Sequence, residues 1–270
     1  MRLVLLYLAI LISITATRPI PATEVELTAS ERIVLTRQAL SGDLEALDRL
    51  ETDDAASRWG LLVRGYALQA AGRFDEAFAA WERSAELGLR LAASALAAHH
   101  YERRNWMEAY AWARLVMEVE AALTDGDLDD LRGGWALYTA VHAAEGLDED
   151  QHRAADALAA ERVEQHLAAM ISPDDVGSQS EDPPLDLDVV QRTRPNYPRS
   201  LAENGVPGWS YVQFEILANG RVGETVAIGA SHDRFARAAV RAIRKWRFNV
   251  DAMDELPGTG FQQIDFTLRR

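Results

Sequence analysis

The chain has 270 residues, with 28 Lys plus Arg against 42 Asp plus Glu, a net charge of −14 and no cysteine. That length allows one large domain or two ordinary ones, and 48% apolar residues can supply a core. The acid excess argues against a nucleic-acid binder. The missing cysteines exclude disulfides, thiolate metal sites and a cysteine nucleophile.

The charge is uneven along the chain. Residues 186–270 hold 12 basic and 10 acidic side chains, a net of +2, whereas residues 1–185 hold 16 and 32, a net of −16.

Met1-Arg2 leads into an apolar run from Leu3 to Ile14, which Thr15, Thr17, Arg18, Pro19 and Pro21 bring to an end. A short positive start before an apolar stretch of about 7–15 residues describes a secretory signal peptide. A spanning helix needs about 20. Residues 1–22 are therefore read as a signal peptide, with retention as a short membrane anchor as the alternative. Either reading puts the rest of the chain outside the cytoplasm.

Residues 23–171 read as helical. No proline occurs between Ser30 and Met170, and alanine, leucine, glutamate and arginine dominate. Apolar residues recur at three and four positions, as in Phe74, Phe78 and Trp81. Glycine and polar punctuation falls at Gly42-Asp43, Gly72, Gly88, Asn105, Gly126 and Gly133-Gly134. A self-similarity runs through Glu45-Ala46, Glu76-Ala77 and Glu108-Ala109, 31 and then 32 residues apart. The stretches 72–88, with Ala77, Trp81 and Ala85, and 105–118, with Ala109, Trp112 and Ala113, resemble tetratricopeptide or Sel1-like repeats. A generic alanine-rich bundle is the alternative. Residues 172–188 are polar and rich in helix breakers, and read as a linker.

The last segment, 189–270, alternates element types. Tyr197-Pro198 opens a short helix that Asn204-Gly205 stops. Trp209 to Leu217 alternates, with Val212, Phe214 and Ile216 on one face and Tyr211, Gln213 and Glu215 on the other. Asn219-Gly220 is a two-residue hairpin signal before a second strand, Arg221 to Gly229. Ser231 is the expected cap of a helix from His232 to Trp246. That helix puts Phe235, Ala239, Ala242, Ile243 and Trp246 on one stripe and Arg234, Arg237, Arg241 and Arg244 on the opposite one. Phe261 to Leu268 is a last strand.

These residues resemble the TonB C-terminal domain. The match runs through Arg194-Pro195-Asn196-Tyr197-Pro198, Gly205, Gly208, Val212 to Ile216, Asn219-Gly220-Arg221-Val222, Ser231, Phe235, Trp246-Arg247-Phe248 and Ile264-Asp265-Phe266. The expected fold is multidomain. An all-α, tetratricopeptide-like array precedes an α+β domain with an antiparallel three-stranded sheet and helices on one face.

The resemblance implies a periplasmic protein that binds TonB-dependent outer-membrane receptors or other envelope proteins by adding their strand to its own sheet edge. By residue it implies contacts at Arg194, Pro195 and Asn196, and along Gln262, Gln263, Ile264, Asp265, Phe266 and Thr267. It also implies ExbB and ExbD as partners if the amino-terminal segment is retained as an inner-membrane anchor. A periplasmic scaffold or assembly factor without energy transduction is the alternative, because a helical array stands where the family carries a long proline-rich spacer. An enzyme is not expected, nor a cofactor. His99-His100 lie on different faces of one helix, Asp129-Asp130 and Asp174-Asp175 have no cation cage around them, and no nucleophile elbow or phosphate loop occurs.

Overall fold

The computed structural model describes residues 27–54, 57–123, 134–171, 189–251 and 258–268. The leader at 1–22, the linker at 172–188, Gly126, Gly133 and both acidic pairs lie outside the described residues.

Six helices form three successive hairpins: α1 (Ala29–Ala39) with α2 (Leu44–Asp54), α3 (Arg58–Ala70) with α4 (Phe74–Glu86), and α5 (Arg90–Glu102) with α6 (Trp106–Leu123). Two further helices, α7 (Trp135–Ala144) and α8 (Glu149–Met170), close the array against α6.

The hairpins share one turn. Gly42, Gly72 and Arg104 take left-handed φ of 93°, 78° and 59°. Each donates its N–H three residues back, to Ala39, Gln69 and Tyr101 respectively. The next residue, Asp43, Arg73 or Asn105, donates five residues back, to Gln38, Leu68 or His100. This paired closure satisfies the last carbonyls of the outgoing helix. The Glu-Ala pairs fall in the first turn of α2, α4 and α6, and Ala46, Ala77 and Ala109 are all buried there. A methyl side chain lets the paired helices approach closely. Gly65 takes this further, because a Cβ there would lie 2.2 Å from Trp81 Nε1, so the indole fills the space.

The second module holds β1 (Val189–Gln191), α9 (Arg199–Glu203), β2 (Gly208–Ile216), β3 (Val222–Ala230), α10 (Asp233–Ile243), β4 (Arg247–Phe248) and β5 (Gly258–Phe266). The sheet is antiparallel in the order β3-β2-β5, and β1 and β4 form a small second pair that the sequence does not announce. Phe235, Ala238, Ala239 and Ile243 of α10 pack on Val212, Phe214, Ile216 and Phe266, with Trp246 and Phe248 completing the core.

Two local expectations change. Ser231 does not cap α10; the His232 ring accepts from Arg234 N–H at 3.0 Å, and Ser231 Oγ accepts instead from Trp209 N–H at 3.0 Å. Gly208 explains the exchange, since a Cβ there would lie 2.4 Å from Ser231 Oγ. The hairpin loop has three residues between Leu217 and Arg221, which pair through Leu217 N–H and Arg221 C=O. Among the described residues Gly220 has positive φ and Asn219 does not. A two-residue type I′ turn needs both.

The sheet's second face is covered by the helical array over β2. Trp209, Tyr211 and Ile228 join the core of the helical array, and all nine residues of β2 are buried. Trp59 of α3 stacks on Tyr211 at 4.9 Å and on Phe261 at 5.8 Å, while Trp135 of α7 meets Trp209 edge-on at 6.1 Å. The sheet is thus a middle layer between α10 and the array.

Candidate functional site

A three-stranded sheet has two edges, and an edge strand presents unpaired backbone N–H and C=O groups to any extended chain. Here the two edges differ. α1 lies against β3. Its Arg37 Nη2 donates to the Thr225 carbonyl at 3.2 Å and pairs with Glu224 Oε2 at 2.5 Å. One backbone acceptor of that edge is therefore occupied and the approach is covered. β5 pairs with β2 throughout Gly258–Phe266, and among the described residues no strand pairs with its other side.

Register sorts the β5 side chains. Ile264 opposes Ser210 and Phe266 opposes Gly208, on the face of Val212 and Phe214 that packs on α10. Phe261, Gln263 and Asp265 oppose Gln213, Tyr211 and Trp209, on the face toward the array. Phe266 is buried in the core, so only its backbone serves an incoming strand. Ile264 is half-buried, and Gln263, Asp265 and Thr267 are exposed. Gln262 is half-buried, its amide donating to the Gln263 carbonyl at 2.7 Å, and the Gln263 amide donates to Asp265 Oδ1 at 2.8 Å.

The array borders this edge on one side. Glu120 of α6 has its carboxyl pushed up to about 7 by burial first, with the Asp265 charge adding and Arg90 opposing. The Asp265 side chain reaches solvent, yet neighbouring protein atoms desolvate its carboxyl and raise it, with the Gln263 hydrogen bond acting the other way. An extended partner at β5 thus meets two carboxyls with reduced acidity on its array side.

The segment 194–196 reaches the same end of the sheet. Arg194 and Asn196 are exposed and Pro195 is half-buried. Their flanks are pinned. Trp246 Nε1 donates to the Thr193 carbonyl at 2.9 Å, and the Arg192 guanidinium lies 4.8 Å over the Trp246 ring. Tyr197 donates to the Val206 carbonyl at 2.7 Å and packs edge-on against Phe266 at 5.7 Å. Tyr197 therefore joins the two predicted groups at the carboxyl end of β5.

Sequence reasoning missed the array's share of the site, namely Arg37, Glu120 and Trp59. One signal was present. Trp209, Tyr211 and Phe261 alternate onto the face opposite α10, and three aromatics on one sheet face imply a cover. His99 and His100 are structural: His99 stacks on Trp81 at 4.6 Å and His100 on Phe78 at 4.5 Å.

Residues 193–268 match the family model for the Gram-negative bacterial TonB protein C-terminal, which covers under half of the chain. That family is a periplasmic interaction domain without enzymatic activity, and its members contact outer-membrane receptors and other envelope proteins. No curated protein matches the chain. Among the described residues no helix is long and apolar enough to cross a membrane.

Proposed function

We propose that the chain is a periplasmic TonB-like protein that captures an extended segment of a TonB-dependent outer-membrane receptor, or of another envelope protein, by strand addition to β5. The supporting observation is the asymmetry of the sheet edges: α1 covers β3, and β5 offers its backbone. Affinity comes from ladder hydrogen bonds, and selectivity from the side chains of Gln263 and Asp265 and from the flanking segment Arg194 to Asn196.

Proline substitution tests this directly. In an antiparallel pair, adjacent residues point their backbone groups to opposite sides. Of Gln263→Pro and Ile264→Pro, one therefore breaks the ladder to β2 and unfolds the module. The other removes an outward donor, leaves the sheet stable and abolishes binding of a TonB-box peptide. Titration calorimetry of the parent and of the folded proline variant checks it. A folded proline variant that binds the peptide with unchanged affinity overturns strand addition at β5.

A second reading is an envelope scaffold that transduces no energy. It is favoured by the aromatic stack between array and sheet, which holds the binding module on a compact helical body rather than at the end of a proline-rich spacer. ExbB and ExbD enter only if residues 1–22 are retained as an anchor. The mass of the mature amino terminus separates the two readings.

A further inference from the structure

α10 carries a second surface, remote from the β5 edge. Arg234, Arg237, Arg241, Arg244 and Lys245 recur at three- and four-residue spacing and are all exposed, so they form one cationic stripe. Arg234 donates to Ser200 Oγ. Among the described residues no carboxylate pairs with Arg237, Arg241, Arg244 or Lys245.

The chain as a whole carries an excess of acids over bases, 42 to 28. Arg37, Arg73, Arg83, Arg114, Arg153, Arg162 and Arg199 all hold a carboxylate. The stripe borders an apolar groove of about 260 Å³ between α10 and β3, floored by Ala227, Ala236 and Val240 and rimmed by Arg237 and Arg241.

The groove's size limits its occupant. Small-molecule sites run to roughly 300–1,000 Å³, so this one suits a single apolar side chain. The two rim guanidiniums, without ion partners among the described residues, suit carboxylates on either side of that chain, where bidentate pairs add geometric selectivity. A bilayer is a poorer complement. Interfacial helices insert large apolar or aromatic side chains, and the large apolar residues exposed among the described residues, Phe74, Val141 and Val190, lie on other elements.

We propose that α10 and β3 form a second docking groove for an acidic protein segment, which seats one apolar side chain on Ala227, Ala236 and Val240 and pairs its carboxylates with Arg237 and Arg241. It operates independently of β5, so one chain holds two envelope proteins at once.

The test is fluorescence anisotropy of the intact chain with a labelled peptide of aspartate and glutamate carrying one central leucine. The parent binds, and binding weakens with salt. R237E combined with R241E, both exposed positions, lowers affinity at least about tenfold, and A236L, which fills the groove, lowers it too. The array variant R153E binds like the parent. Circular dichroism confirms that each variant is folded. Failure of the parent to bind overturns the proposal. So does equal binding when the leucine is replaced by glycine, or binding unchanged in R237E/R241E. Binding to phosphatidylglycerol vesicles without binding to the peptide assigns the stripe to a membrane and also overturns it. A strand-addition defect at β5 leaves this result unchanged, so the two sites fail separately.

Discussion

Arg104 sits where the first two hairpins place glycine. Its φ of 59° costs an L-residue with a Cβ roughly 1–2 kcal/mol relative to glycine. The side chain is exposed, so it loses little packing on removal. Arg104→Gly is therefore expected to stabilise the chain by about 1 kcal/mol, read as a higher denaturant midpoint at unchanged slope. Two titrating groups work against each other across the acid range. Burial holds Glu120 at about 7 against an ordinary 4.5, so the folded state retains its proton, and this contribution to stability is lost as pH rises from 4.5 through 7. Burial, then the charge of Arg162, holds His100 at about 4 against 6.5, so its contribution is lost as pH falls from 6.5 toward 4. Glu120→Gln should raise the melting temperature by a few degrees at pH 8 and leave it unchanged at pH 4, while His100→Gln should flatten the acid limb instead. Thermal melts across pH check both, and a parallel response of the two variants contradicts the assignment. The sequence carries the repeated Glu-Ala register and Gly42 and Gly72, but nothing local marks Arg104 as their equivalent. Its strain is imposed by the shared turn geometry and not by its own preference.

Elements were legible wherever one period dominates. The alternation at Val212, Phe214 and Ile216, and Phe235, Ala239 and Ile243 of the helix stripe, reappear in the structure as the two sides of one core. Places where two contacts compete were not legible. Ser231 has the chemistry of a cap but is taken by Trp209 across the chain, and β1 and β4 are too short to show a period. Contacts between α3 and β3 belong to this scale. A Cβ on Gly229 would lie 2.4 Å from Tyr66 Oη, a hydroxyl that is buried without a hydrogen-bond partner among the described residues. Burial also pushes the Tyr66 phenol well above its ordinary range. Tyr66→Phe removes an unsatisfied polar group and should be neutral to slightly stabilising. Gly229→Ala should cost about 1–3 kcal/mol by overpacking. Because the clash is with the hydroxyl, Gly229→Ala in the Tyr66→Phe background should cost clearly less, and a double-mutant cycle measures that coupling. Additive effects mean that the strand and helix do not meet there.

At the scale of the whole molecule the decisive feature is the aromatic part of the sheet's second face, which the array covers. Composition suggests two bodies, an acidic array and a near-neutral module, and a charge boundary with a polar linker carries no information about aromatic stacking across it. The register of β2 carries some, since it commits Trp209 and Tyr211 to the face away from α10. Each large aromatic buries about 150–250 Å², and at about 25 cal/mol per Å² the loss of even half that cover for Trp209, Tyr211 and Phe261 is comparable to the 5–15 kcal/mol that holds an ordinary domain folded. The two modules should therefore unfold together. Tryptophan fluorescence and far-ultraviolet circular dichroism of the intact chain are expected to give one coincident denaturant transition. A fragment of residues 186–270 should unfold at lower denaturant and bind a hydrophobic dye that the intact chain excludes. Trp59→Ala removes the stacking partner of Tyr211 and Phe261 without touching the α10 core, so it should split the transition, the module melting first. Two separate transitions in the parent chain, or a fragment as stable as the whole, would mean that the array merely rests against the sheet. In that case the covering of the β3 edge by α1 could not direct a partner strand to β5.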